Sequence, residues 1–139
     1  MAKPAAFFTL FFLVAALIAC QDEKSVEYQR YYSLGKNLYG VHCQNCHGEK
    51  GEGLAGLYPP LSDTTFLRKN HDSLACWISK GLEKEIVING KKYRAKMPAD
   101  SDTSPIEIAQ IVTYITNSFG NSQGFTDVDK VNVQLKNCR

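Results

Sequence analysis

"VHCQNCHGEKGEG", residues 41–53, sets two cysteines and a histidine within five positions, Cys43-Gln44-Asn45-Cys46-His47, and follows them with three glycines. Three chemistries use closely spaced cysteines beside a histidine: a redox dithiol, a zinc knuckle, and covalent attachment of haem. A dithiol accounts for both sulfurs but leaves His47 without a task, and no βαβ pattern surrounds it. A zinc site needs a fourth ligand at matching spacing, and no second C-x-x-C supplies one. Haem uses every position. On a helical turn, cysteines three apart share a face, so both thiols reach the two vinyl groups of one porphyrin. The histidine directly after them can turn its imidazole to the iron from the proximal side.

The N-terminus places this chemistry in an exported protein. Lys3 precedes the apolar run Ala5 to Ala19, which has the length of a signal h-region and is short for a spanning helix. The run closes on "LIAC", residues 17–20, which resembles the lipobox of bacterial lipoproteins. That resemblance implies a signal peptide over 1–19 and a lipidated Cys20 as the first mature residue. Residues 20–26 then read as a polar tether and 27–139 as one domain, large enough for a single thin core. The expected location is the cell envelope of a Gram-negative-type bacterium, lipid-anchored to a membrane on its periplasmic side.

Export permits disulfides. The chain has five cysteines. With Cys20 lipidated and Cys43 and Cys46 on haem, Cys76 and Cys138 remain as a pair. Such a cross-link contributes about 4 kcal/mol by restricting the unfolded chain.

The formal net charge is +2, and loss of Lys3 reduces it further, so composition argues against a nucleic-acid partner. The distribution is uneven. Lys80, Lys84, Lys91, Lys92, Arg94 and Lys96 lie in one stretch with only Glu83 and Glu85, whereas residues 100–129 hold acids and no base. A solvated surface explains this as well as a docking face for an acidic patch on a redox partner.

The hydrophobic pattern predicts a mostly helical domain. Tyr28, Tyr31, Tyr32, Leu34, Leu38, Tyr39 and Val41 recur at helical spacing, with Ser25 as N-cap. Residues 48–63 are rich in Gly and Pro and read as a loop. "HDSLACWISKG" predicts a short helix capped by Asp72 and stopped by Gly81. Asn89-Gly90 between strand-like runs predicts a hairpin near 85–94. "SPIEIAQIVTYITNSFG" carries a capping box in Ser104 and Glu107, Pro105 at the first helical position, a stripe of Ile108, Ile111, Val112 and Ile115, and Gly120 as the stop. The C-terminal tail offers only Val131, Val133 and Leu135 to hold it. After signal removal Met97 is the one methionine. It sits in an irregular segment before Pro98, which suits a sixth ligand better than a core gap-filler. His71 is the alternative, read otherwise as solvated or at the haem edge, and His42 lies too near the attachment site to reach the far side.

"CQNCHG", "GLYPPL", "GLEKEIVINGKKYRAKMP" and "IVTYITNSFGN" together resemble the class I monohaem c-type cytochromes of bacteria, over roughly residues 28–120. The last two blocks are similar to cytochrome c domains of alcohol dehydrogenase-type electron-transfer chains. The resemblance implies an all-α cytochrome c fold around one covalent haem c, with Cys43 and Cys46 as thioether sites and His47 and Met97 as axial ligands. It implies a close crossing of the first and last helices at Gly35, Tyr39 and Tyr114. It also implies a proline carbonyl, of Pro59 or Pro60, on the proximal imidazole. The function implied is single-electron transfer between redox partners, as a free carrier or as the cytochrome subunit of a larger complex, and not an enzyme. A catalytic or gas-sensing haem is the competing reading and requires an open sixth position.

Overall fold

The computed structural model describes residues 23–138; the expected signal peptide, Cys20 and the first residues of the tether lie outside them. Among the described residues six α-helices and one two-stranded sheet follow in the order α1 (Glu23–His42), α2 (Gln44–His47), α3 (Thr64–Lys69), α4 (Leu74–Lys80), β1 (Ile86–Ile88), β2 (Lys91–Tyr93), α5 (Pro105–Ile115) and α6 (Val128–Lys136). The domain is thus mostly helical, and none of the described helices is long and apolar enough to cross a membrane.

The scaffold is the crossing of α1 on α5. Gly35 is buried at the point of contact, where an added Cβ would lie 2.0 Å from the Gln110 carbonyl oxygen and 2.9 Å from the Tyr114 Cβ. Only a residue without a side chain lets the two backbones approach this closely. Around that point Tyr39, Tyr114 and Phe119 pack ring against ring, with centroids 5.3 to 5.6 Å apart. Such aromatic pairs add about 0.5–1.5 kcal/mol each beyond the area they bury.

Helix α5 begins as its sequence dictates: Glu107 Oε2 accepts from the Ser104 N–H at 2.8 Å and from its hydroxyl at 2.6 Å. Every residue from Ile108 to Ile115 is buried, so the expected single stripe understates it. Helices α1, α4 and α6 all pack on α5, which leaves no solvent face. It also ends before Gly120. The Thr116 hydroxyl donates to the Val112 carbonyl at 2.7 Å, and the Asn117 side-chain Oδ1 accepts from the N–H groups of Gln123 and Gly124, which turns the chain early.

Other boundaries also depart from expectation. Helix α1 already includes Glu23, so Ser25 lies inside it and is not its N-cap. Asp72 sits in a single 3₁₀ turn, His71–Ser73, ahead of α4, with its carboxylate 3.4 Å from the Lys130 ammonium. Two helices arise where none is expected. Asp63 caps α3 by accepting from the Phe66 N–H at 2.7 Å, and Asp127 caps α6 from Lys130 at 2.8 Å. In α6, Val131 is fully buried while Val133 is 59 % exposed. Cys76 of α4 and Cys138, just past α6, form a disulfide with Cα atoms 5.5 Å apart.

The hairpin pairs Ile86 with Tyr93, Val87 with Lys92 and Ile88 with Lys91. Asn89 and Gly90 both have positive φ, 49° and 75°, as a two-residue primed turn requires.

Candidate functional site

The short turn α2 follows directly on α1, with the Cys46 and His47 N–H groups both donating to the Cys43 carbonyl, at 3.1 and 2.9 Å. This single turn puts Cys43, Cys46 and His47 on one apolar cavity. Neither cysteine is in a disulfide. Burial, with Asp100 and then Cys46 adding to it, pushes the Cys43 thiol up to about 12, so it is a neutral thiol at pH 7.

The glycines that follow fold the loop back beneath His47. Gly48, Gly51 and Gly53 all have positive φ. Gly53 donates its N–H to the His47 carbonyl at 2.7 Å, and Leu61 donates to Gly51 at 2.8 Å. The Tyr39 hydroxyl fastens the same loop, donating to the Gly48 carbonyl at 2.6 Å. The result sets the Pro59 carbonyl oxygen 2.9 Å from His47 Nδ1. Of the two candidate prolines, Pro59 makes this contact and Pro60 lines the cavity. An Nδ1–H donated to Pro59 leaves the Nε2 lone pair for a metal. Burial holds the imidazole below its ordinary value, opposed by that hydrogen bond, so the ring is neutral at pH 7 and fit to be a ligand.

Met97 lines the same cavity. Its backbone is held by an isolated antiparallel bridge: Leu82 donates to the Met97 carbonyl at 3.0 Å and Met97 donates to the Leu82 carbonyl at 2.9 Å. Gly81 permits this, since an added Cβ would lie 2.5 Å from the Met97 carbonyl oxygen. Three residues on, Asp100 donates its N–H to Ile78 at 2.9 Å, and its carboxylate lies 2.8 Å from His42 Nδ1. His42 therefore faces the Met97 segment from the end of α1.

His71 is elsewhere. Its Nε2 lies 3.1 Å from the Thr126 hydroxyl and its Nδ1 3.3 Å from Lys130, a largely buried position that is neither solvated nor on the cavity. Leu82, Asp100 and Trp77 belong to the site's construction without having been singled out for it. A bridge between residues fifteen apart leaves no local pattern to read.

The donor set suits haem. A neutral imidazole with a free Nε2, a thioether and two thiols spaced by one turn meet on walls built by Leu67, Leu74, Trp77, Ile88 and Ile111.

Comparison with known proteins agrees. The family described as "Cytochrome C oxidase, cbb3-type, subunit III" matches residues 32–115, more than half of the chain. "Cytochrome c-552" of Thermus thermophilus is 28 % identical over 93 residues, covering 64 % of this chain and 70 % of that protein. The "Fructose dehydrogenase cytochrome subunit" of Gluconobacter japonicus is 32 % identical over 105 residues, covering 70 % of this chain but only 21 % of that subunit. The motif at residues 43–47 supplies both cysteines and the histidine that covalent haem c requires. The chain belongs to this cytochrome c family, a haem c electron-transfer protein and not itself an enzyme.

Proposed function

We propose that the protein is a lipid-anchored, periplasm-facing carrier that moves single electrons between redox partners on one haem c ligated by His47 and Met97. The observation that carries this is the convergence of Cys43, Cys46, His47 and Met97 on one apolar cavity, with His47 Nε2 left free by the bond to Pro59. When bound, the haem supplies a one-electron couple, and a neutral soft thioether raises its potential relative to a second imidazole.

The chain's own residues do the rest. Pro59 fixes the tautomer and orientation of His47, the apolar walls exclude water, and the Leu82 bridge holds Met97 at the cavity. Two fixed ligands leave no position for substrate. The titratable side chains on the walls besides His47 and the two cysteines are Tyr58, Tyr93, Lys84 and Lys96, and a peroxidase-like distal acid–base pair would have to come from these. That weighs for a carrier over a catalytic haem. Anchoring rests on the lipobox-like "LIAC" before Cys20, and docking to an acidic patch rests on the basic 80–96 stretch.

Mass spectrometry of the exported protein should show haem added to the polypeptide and acyl chains on Cys20. The oxidised protein should show the weak far-red sulfur-to-iron charge-transfer band. A bare polypeptide mass would overturn haem attachment, absence of the far-red band would overturn Met97 ligation, and an unmodified Cys20 would overturn anchoring.

A further inference from the structure

The basic stretch divides once its partners are counted. Lys92 and Arg94 both pair with Glu85, and Lys96 pairs with Glu83. Lys91 folds over the Tyr93 ring, with its Nζ 5.8 Å from the ring centroid. Lys80 and Lys84 have no acidic partner among the described residues. Both lie on a second groove, of about 780 Å³, between the C-terminal end of α4 and helix α6.

Two features make this groove more than a charged dent. First, Trp77, Leu82 and Lys84 line both the groove and the haem cavity, so a single layer of side chains separates the two. Second, the facing wall offers Val133, 59 % exposed, an apolar contact in otherwise polar surroundings. The remaining charges on the groove are committed, Asp72 to Lys130 at 3.4 Å and Glu83 to Lys96.

We propose that this groove, and not the hairpin, is where a redox partner docks, and that its occupant is an acidic peptide segment of the partner protein. Its carboxylates meet Lys80 and Lys84, and an apolar side chain packs on Val133 and Trp77. Electrons then cross the Trp77 wall. The proposal rests on the electron-carrier reading and assigns its docking face.

The test uses the intact haem-loaded protein in its ferrous form and a short synthetic peptide of alternating glutamate and leucine, titrated at low salt and followed by NMR. The expected shifts fall on the Trp77 indole, Val133 and the Lys80–Lys84 backbone. Lys80→Glu with Lys84→Glu should weaken binding about tenfold, whereas Lys92→Glu with Arg94→Glu should change it by less than about twofold. A peptide with glutamine in place of glutamate should not bind. No binding, shifts centred on the hairpin, or equal weakening by both pairs of substitutions would overturn the proposal. The haem mass and far-red band recorded on the same sample report separately on the carrier reading.

Discussion

The loop carrying Cys43, Cys46 and His47 and the segment carrying Met97 face one cavity but are held by different kinds of interaction. The first is fastened mostly by its own backbone, with Gly53 on His47, Leu61 on Gly51, and Pro59 on His47 across twelve residues. The second depends on partners far away in the chain. Asp100 faces His42, and α4, on which the Met97 segment leans through Ile78, is cross-linked to Cys138. Local bonds close with little loop entropy, so the attachment side can take shape before the rest of the domain. The Met97 side needs the finished fold.

The largest break in this contrast comes from the cross-link. Cys76→Ser with Cys138→Ser should cost about 4 kcal/mol, measured by urea unfolding of the haem-loaded protein. The loss should leave haem attachment untouched. An equal loss of covalent haem would show that the two sides are not separable.

Two matched glycine substitutions sharpen the comparison. At Gly53 φ is +72° and an added Cβ would lie 2.5 Å from the Tyr58 carbonyl oxygen; at Gly81 φ is +78° and the clash, also 2.5 Å, is with the Met97 carbonyl. Each change to alanine should cost about 2–3 kcal/mol. Gly53→Ala should lower the yield of covalent haem. Gly81→Ala should spare attachment and remove the far-red band, and the reverse pattern would contradict the assignment of sides.

A smaller effect is expected at the link between the two regions. Asp100→Ala removes a part-exposed contact, worth about 0.5–1 kcal/mol. Its thermal loss of the far-red band should precede global unfolding by more than in the parent protein.

The smallest effect belongs to His71, which touches neither region. Burial first, and then Lys130, hold its imidazole below the ordinary 6.5, against the opposing pull of Asp72. The unfolded chain therefore takes up a proton near pH 6.5 that the folded chain declines. Stability from this site is complete above that pH and is lost as pH falls toward the lowered folded value. His71→Asn should flatten the stability–pH slope in that window, and an unchanged slope would remove His71 as its source.

What was legible in the sequence follows the same local and non-local division. The attachment turn, the hairpin at Asn89-Gly90 and the capping box at Ser104 each declare themselves within a few residues. Helix α6 left a readable signal, Asp127 as cap with Val128, Val131 and Leu135 on one face, masked by its polar composition. Helix α3 left almost none, because six residues complete fewer than two turns and α3 depends on the Asp63 cap for its start. The Leu82–Met97 bridge and the seat of His71 against Thr126 arise only when distant segments meet. Nor could a count of charges show that half of the basic stretch is already paired with Glu83 and Glu85.

The disulfide has a consequence for ligand exchange. With Cys76 joined to Cys138, the hairpin, the Met97 segment and α5 all lie within one closed covalent ring. On the ligation proposed above, a thioether that leaves the iron cannot diffuse away as it could on an open tail. The ring keeps its effective concentration at the metal high, and the shorter the excursion permitted, the sooner it returns. Competing external ligands, such as imidazole or cyanide, would have to outcompete a methionine that is never far from the iron. Opening the ring weakens that advantage without altering any atom at the haem.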